Sequence, residues 1–165
     1  MMEGVMIKIT IACVGKVKES WMRAGIAEYE KRLGRYCRLE TLQVADEKTP
    51  DGAAPAEEAA IREKEGQRLL AGSPERAFVA ALEIGGRRFD SPAFAREIEK
   101  LGASGNSHLV FVIGGSLGLS DSVLRRANMK ISFSDMTFPH QLMRIILLEQ
   151  IYRGFRIING EPYHK

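Results

Sequence analysis

The sequence predicts an α/β fold, a parallel sheet in the middle of three layers with helices on both faces. Three observations carry that expectation. Apolar runs of strand length alternate with helix-length amphipathic segments along the whole chain, in the order β-α-β-α-β-α-β-α-β-α. The run Ala77-Phe78-Val79-Ala80-Ala81-Leu82 is apolar throughout, as a strand covered on both faces must be. Two strand ends, after Ile113 and after Phe133, each run into an unusual loop before a helix. Such a pair makes a binding crevice at the carboxyl edge of an open sheet.

Taken in order, Ile7, Ile9 and Ile11 alternate and Ala12-Cys13-Val14 continues the run, so 6–14 reads as the first strand, ended by Gly15. Ser20 is the expected N-cap of a helix to about Leu33, with Met22, Ile26, Tyr29 and Leu33 on one face and Gly34 closing it. A second strand covers 38–44, and 45–55, with Asp, Pro and Gly but no periodicity, reads as a mobile loop. A helix over about 56–70 is ended by Gly72, a third strand spans 76–84, and Gly85-Gly86 is the expected turn. Ser91 as a cap and Pro92 at the first helical position start the next helix, whose inner face carries Phe94, Ile98 and Leu101 and which Gly102 should stop. His108 to Ile113 is a fourth strand, Ser120 caps a short helix to about Arg126, and 129–133 is a fifth strand.

The last helix, about His140 to Ile158, is apolar on almost every side. Such a helix must be buried on almost every side. One sheet face covers half of it, and a partner subunit is expected to cover the rest. Arg144, Arg153 and Arg156 recur along it and read as surface or snorkelling side chains.

The 165 residues suit one domain, with 1–5 as a short extension. No apolar run reaches the roughly 20 residues of a membrane helix, and residues 1–5 lack the regions of a signal peptide. Cys13 and Cys37 match no metal spacing and read as buried thiols of a reduced, cytoplasmic protein. Net charge is +3, but residues 1–44 hold eight bases against five acids, while 45–70 hold seven acids against four bases. That bias permits a phosphate-rich partner without demanding one.

Gly114-Gly115-Ser116-Leu117-Gly118 lacks the Lys-Ser/Thr of a P-loop and the spacing of the dinucleotide fingerprint. Asp135 falls about twenty residues later, where a ribose-binding acid would sit, so a dinucleotide-dependent oxidoreductase stays open at this point. The stretch Phe133 to His140 sets two aromatics and a methionine among hydroxyl and carboxylate groups. That mixture suits a flat heteroaromatic ring, with apolar walls and backbone groups that read its edge. His140 opens the last helix beside Pro139; His108, His140 and His164 form no metal signature.

Four motifs in this order, Ile113-Gly114-Gly115-Ser116 to Leu119, Phe133-Ser134 to Gln141, Glu149-Gln150 to Arg153, and Tyr163-His164-Lys165, carry a resemblance. So do Val14-Gly15-Lys16, Glu28-Tyr29, Lys64-Glu65-Gly66 and Leu82-Glu83. The chain resembles, from Met6 to its last residue, the bacterial RNA methyltransferases of the small SPOUT class that methylate N3 of a pseudouridine in 23S ribosomal RNA.

The resemblance implies a C-terminal trefoil knot, a homodimer and S-adenosylmethionine as cofactor, held by Leu82, Gly114, Phe133, Ser134, Asp135, Met136, Thr137 and Phe138. It implies the hairpin at the ribosomal subunit interface as target, in the assembled ribosome, with neither membrane nor DNA as partner and no metal. Loss of the N3 proton calls for a base or nearby positive charge, for which His140, Arg144, Tyr152, Arg153 and His164 are the candidates. Basic residues of the first helix, Arg23, Lys31, Arg32 and Arg35, are candidates for phosphate contacts. The tail after Gly160 is expected to pack no core and to lie beside a cofactor pocket, its own or the partner subunit's. A ribosome-binding factor of the same fold without catalysis is the other open reading; cofactor binding separates the two.

Overall fold

The computed structural model describes residues 6–164. Five strands and five helices alternate: β1 Lys8–Val14, α1 Ser20–Leu33, β2 Arg38–Val44, α2 Pro55–Ala71, β3 Phe78–Arg88, α3 Ser91–Ala103, β4 His108–Ile113, α4 Asp121–Arg126, β5 Met129–Ser132 and α5 His140–Ile158. All strand pairs are parallel, in the order β2-β1-β4-β3-β5.

The strand alternation sorts side chains by size. Ile9, Ile11 and Cys13 of β1 and Leu109, Phe111 and Ile113 of β4 point to one face, where they pack with α1, α3 and α5. Ala12, Val14, Val110 and Val112 point to the other and meet Leu69 of α2 and Val123 of α4. The bulky face therefore carries three helices and the slimmer one carries two. Phe111, Ile9, Ile11, Leu147 and Ile151 are fully buried, and each stabilises the fold by about 1.5–3 kcal/mol.

On the three-helix face α5 packs against both α1 and α3 as well as β4. Gly25 of α1 lets the Ile145 side chain approach, and Gly154 lets α5 close on Ala95 of α3. These flanking helices bury Leu147, Leu148, Ile151, Gly154 and Phe155 within the chain. Much of the apolar girth is thus covered without a partner, which corrects the expectation that one sheet face is the only intrachain cover. Two of the three arginines are also tied down by partners from other elements rather than solvated. Arg144 is buried and donates to Gln43 Oε1 (3.1 Å), and Arg156 donates to Tyr36, Glu161 and the Pro162 carbonyl.

Several boundaries differ from expectation for local reasons. Ser20 is already helical; the cap position is Glu19, without a side-chain cap, and Arg23 instead donates to the Lys18 carbonyl (2.6 Å). Asp90 rather than Ser91 caps α3, accepting from the Ala93 N–H. Gly102 lies inside α3, and the reversal falls at Gly105 with φ +93. The loop after β2 is tied at its start, because Arg68 donates to the Ala45 carbonyl and to Glu47, and Glu65 accepts from the Glu47 N–H.

Gly85 and Gly86 depart furthest from the expected pattern. They form no turn but belong to β3, where the register with β5 jumps: Leu82 and Arg87 both lie opposite Ile131. The residues between them bulge out of the strand. Gly86 is required there, since a Cβ would stand 2.7 Å from the Ile131 nitrogen.

Candidate active site

The carboxyl ends of β3, β4 and β5 surround a cavity of ≈ 750 Å³. Its floor is the loop after β4. The Gly118 N–H donates to the Gly115 carbonyl (3.0 Å), and Gly118 takes φ +85 to close the turn. Gly115 rests on Val14 and on the Glu65 carboxylate, 3.1 Å from where its Cβ would be. Burial pushes the Glu65 pKa up, and the hydrogen bond from Glu47 N–H partly offsets this.

The loop after β5 forms the opposite wall. Ser134 Oγ accepts from the Met136 N–H (3.0 Å), a local turn that serine side chains favour. Ser132 Oγ donates to the Ser134 carbonyl (3.2 Å), and Phe133 anchors the loop edge-on to Phe94. On the outer side of the loop Asp135 forms an ion pair with Arg88 of β3. At its end Gln141 donates to the Lys16 carbonyl (3.1 Å), joining the start of α5 to the loop after β1.

Of the residues expected at a cofactor, Leu82, Gly114, Phe133, Ser134, Met136, Thr137 and Phe138 line this cavity, and His140 stands among them. Asp135 does not line it; its carboxylate is turned outward to Arg88. Glu83 and Ile84 line it as well, unforeseen because the adjacent glycines read as a turn that would end the strand. Their signal was the length of apolar β3 running up to two glycines.

The other candidates for catalysis gather elsewhere. Tyr152 is twelve residues beyond His140 on α5, about 18 Å along the axis. There Arg153 pairs with Glu149 (2.5 Å) and meets His164 Nδ1 (3.1 Å). The Tyr163 hydroxyl donates to Glu149 Oε1 (3.1 Å), and its ring stands edge-on to Tyr152, 5.0 Å between centroids. Burial first, then Tyr29 and Glu149, push the Tyr163 pKa up, so its phenol remains a donor. The tail therefore folds back on α5 and packs, contrary to the expectation that it touches no core. It lies at the far end of α5 from the cavity of its own chain.

The cavity fits an adenosyl group on its own terms: apolar walls from Leu82, Ile113, Leu119 and Ile131, and a floor of bare glycine backbone that a ring can approach closely. A parallel sheet with a glycine-floored cavity at its carboxyl edge defines a nucleotide- or nucleoside-binding α/β enzyme. The family described as predicted SPOUT methyltransferase matches residues 7–164, and the chain belongs to that family. It is an S-adenosylmethionine-dependent methyltransferase, which displaces the oxidoreductase alternative.

Relatives match along nearly all of the chain. The chain is 58% identical over 159 residues to the ribosomal RNA large subunit methyltransferase H of Clostridium beijerinckii, covering 96% of this chain and 100% of that one. It is 55% identical, with the same coverage, to the protein so named in Enterococcus faecalis. Among solved structures, a probable methylase family protein from Haemophilus influenzae superposes with TM-score 0.51 at 12% identity, over 96% of this chain and 70% of the other. The tRNA (m1G37) methyltransferase of Aquifex aeolicus gives TM-score 0.50 at 13% identity, over 90% and 69%. Those two likenesses bear on fold alone.

Proposed function

We propose that this protein methylates N3 of a pseudouridine in 23S ribosomal RNA, on the assembled ribosome, as a cytoplasmic homodimer. The observation that supports the reading is the glycine-floored cavity itself, with His140 among the residues that line it. The full-length relatives named for large-subunit ribosomal RNA methylation support the substrate class.

In this reading Leu82, Gly114, Phe133, Ser134, Met136, Thr137 and Phe138 hold S-adenosylmethionine, which when bound supplies an electrophilic methyl group. The chain's own contribution is chiefly position, since an in-line displacement depends on holding nucleophile and methyl group in register. His140 is the residue at the mouth suited to take up the N3 proton. Arg144 lies one turn on, buried against Gln43.

The Tyr152–Arg153–His164 cluster reaches such a site only from a second copy. Beside the seam where Gly25 of α1 meets Ile145 of α5, exposed Trp21 and the half-buried Ile145 support a dimer contact. Helices crossing there would bring the tail of one copy toward the cavity of the other. The chain path also supports the expected knot: β4 lies inside β3, β5 outside it, and α5 returns from the edge to the helix layer between α1 and α3.

The decisive experiment transfers labelled methyl groups to ribosomes from a strain lacking the modification and maps the labelled nucleotide. Label at N3 of one pseudouridine supports the proposal. Label elsewhere, or on free RNA in preference to ribosomes, overturns it.

A further inference from the structure

The β3 bulge delivers one charged side chain to the cavity. Glu83 follows Leu82 at the register jump, is half-buried, and lines the cavity mouth with Ile84. It is the only acid among the described lining residues, and neither lysine nor arginine stands among them. The cations nearest in sequence are engaged elsewhere. Arg87 lies over the Phe89 ring (4.5 Å) and Arg88 pairs with Asp135. Among the described residues no ion pair or side-chain hydrogen bond engages the Glu83 carboxylate. The bulge is held by backbone contact of Gly86 with Ile131, so Glu83 is presented by a fixed strand and not by a loose loop.

An unpaired carboxylate in a partly water-excluded cavity gives that cavity a negative field, stronger than the same charge would exert in bulk water. S-adenosylmethionine and its demethylated product S-adenosylhomocysteine share adenine, ribose and amino-acid groups. They differ by the methyl group and by one positive charge at sulfur. We infer that Glu83 is the residue that makes this cavity prefer the cationic cofactor over the neutral product, and so favours exchange after each turnover. The inference rests on the cavity being the cofactor site. A contact to groups the two ligands share, such as the ribose hydroxyls, would not discriminate between them.

Calorimetric titration of both ligands into wild type, Glu83→Gln, Glu83→Asp and Thr137→Trp tests this. Glu83→Gln is expected to raise the Kd of S-adenosylmethionine about tenfold, or about 1.4 kcal/mol, and to leave that of S-adenosylhomocysteine within about twofold. Glu83→Asp should retain most of the preference, and the difference should shrink as salt is raised. Equal weakening of both ligands by Glu83→Gln, or no change for either, overturns the role of Glu83. Thr137 is exposed at the mouth, so a tryptophan there should fill the cavity without disturbing the core. Loss of both ligands in Thr137→Trp with unchanged Glu83→Gln removes only the inference. Unchanged binding in both variants removes the cavity assignment itself.

Discussion

Gly114 and Gly118 touch through their backbones: a Cβ on Gly114 would stand 2.6 Å from the Gly118 carbonyl carbon and 2.8 Å from its oxygen. The absent side chain thus serves the loop's own closure before it serves any ligand. Gly114→Ala is expected to push the two strands of the loop apart and to weaken S-adenosylmethionine binding at least tenfold. Overpacking of this kind costs about 1–3 kcal/mol. Calorimetry and urea unfolding of the same variant check both effects; full affinity with unchanged stability would remove the loop from the site.

The tail is attached through Tyr163 to Glu149 and Tyr152. Removing its hydroxyl in Tyr163→Phe should cost about 0.5–1.5 kcal/mol, read by urea denaturation. Deleting residues 162–165 should leave S-adenosylmethionine affinity within about twofold, because the tail lies far from the cavity of its own chain. Methylation of ribosomes by the truncated protein should fall at least about tenfold, about 1.4 kcal/mol of transition-state stabilisation. A wild-type rate from the truncated, folded protein would show the tail to be structural only.

Trp21 is the single tryptophan, 58% exposed, one turn before Gly25, the α1 position that Ile145 of α5 approaches. If this surface joins two copies, its fluorescence should shift to the red as the protein is diluted through its dissociation constant. Trp21→Glu should sediment as a monomer at micromolar concentration while keeping its far-UV spectrum. An interface of about 1,200–2,000 Å² is expected. A wild-type monomer that retains full activity would refute the dimer.

Cys37 is buried in the core, and desolvation raises its pKa from 9.0 to about 12. The folded state therefore binds its proton where the unfolded state has released it. The stabilisation is complete below about pH 9 and is lost progressively between 9 and about 12, by at most about 1.4 kcal/mol per pH unit. Tyr163, shifted in the same direction, adds to the loss. Urea midpoints of wild type and Cys37→Ala across this range should differ in slope, with the variant less steep. In the folded protein at pH 8, Cys37 should resist thiol reagents.

Fold class was legible in this sequence because burial on two sheet faces imposes its own pattern. Ile9, Ile11 and Cys13 alternate with Thr10, Ala12 and Val14, and β2, β4 and α5 begin and end where composition changes. The two crevice loops were legible because glycine and polar residues interrupt apolar runs at strand ends. Local signals failed where a long-range contact outweighed them. Gly85-Gly86 has the composition of a turn, yet its lack of side chains serves close contact with β5, forty-five residues away at Ile131. The arginines of α5 read as solvated because helix periodicity cannot show that Gln43, Tyr36 and Glu161 wait opposite them. The division of the catalytic candidates followed the same logic. Sequence placed His140 and Tyr152 on one helix; only the tertiary structure decided that α5 carries one at the cavity and the other about 18 Å away against the tail, because pairing across the sheet is settled by which surfaces can bury each other.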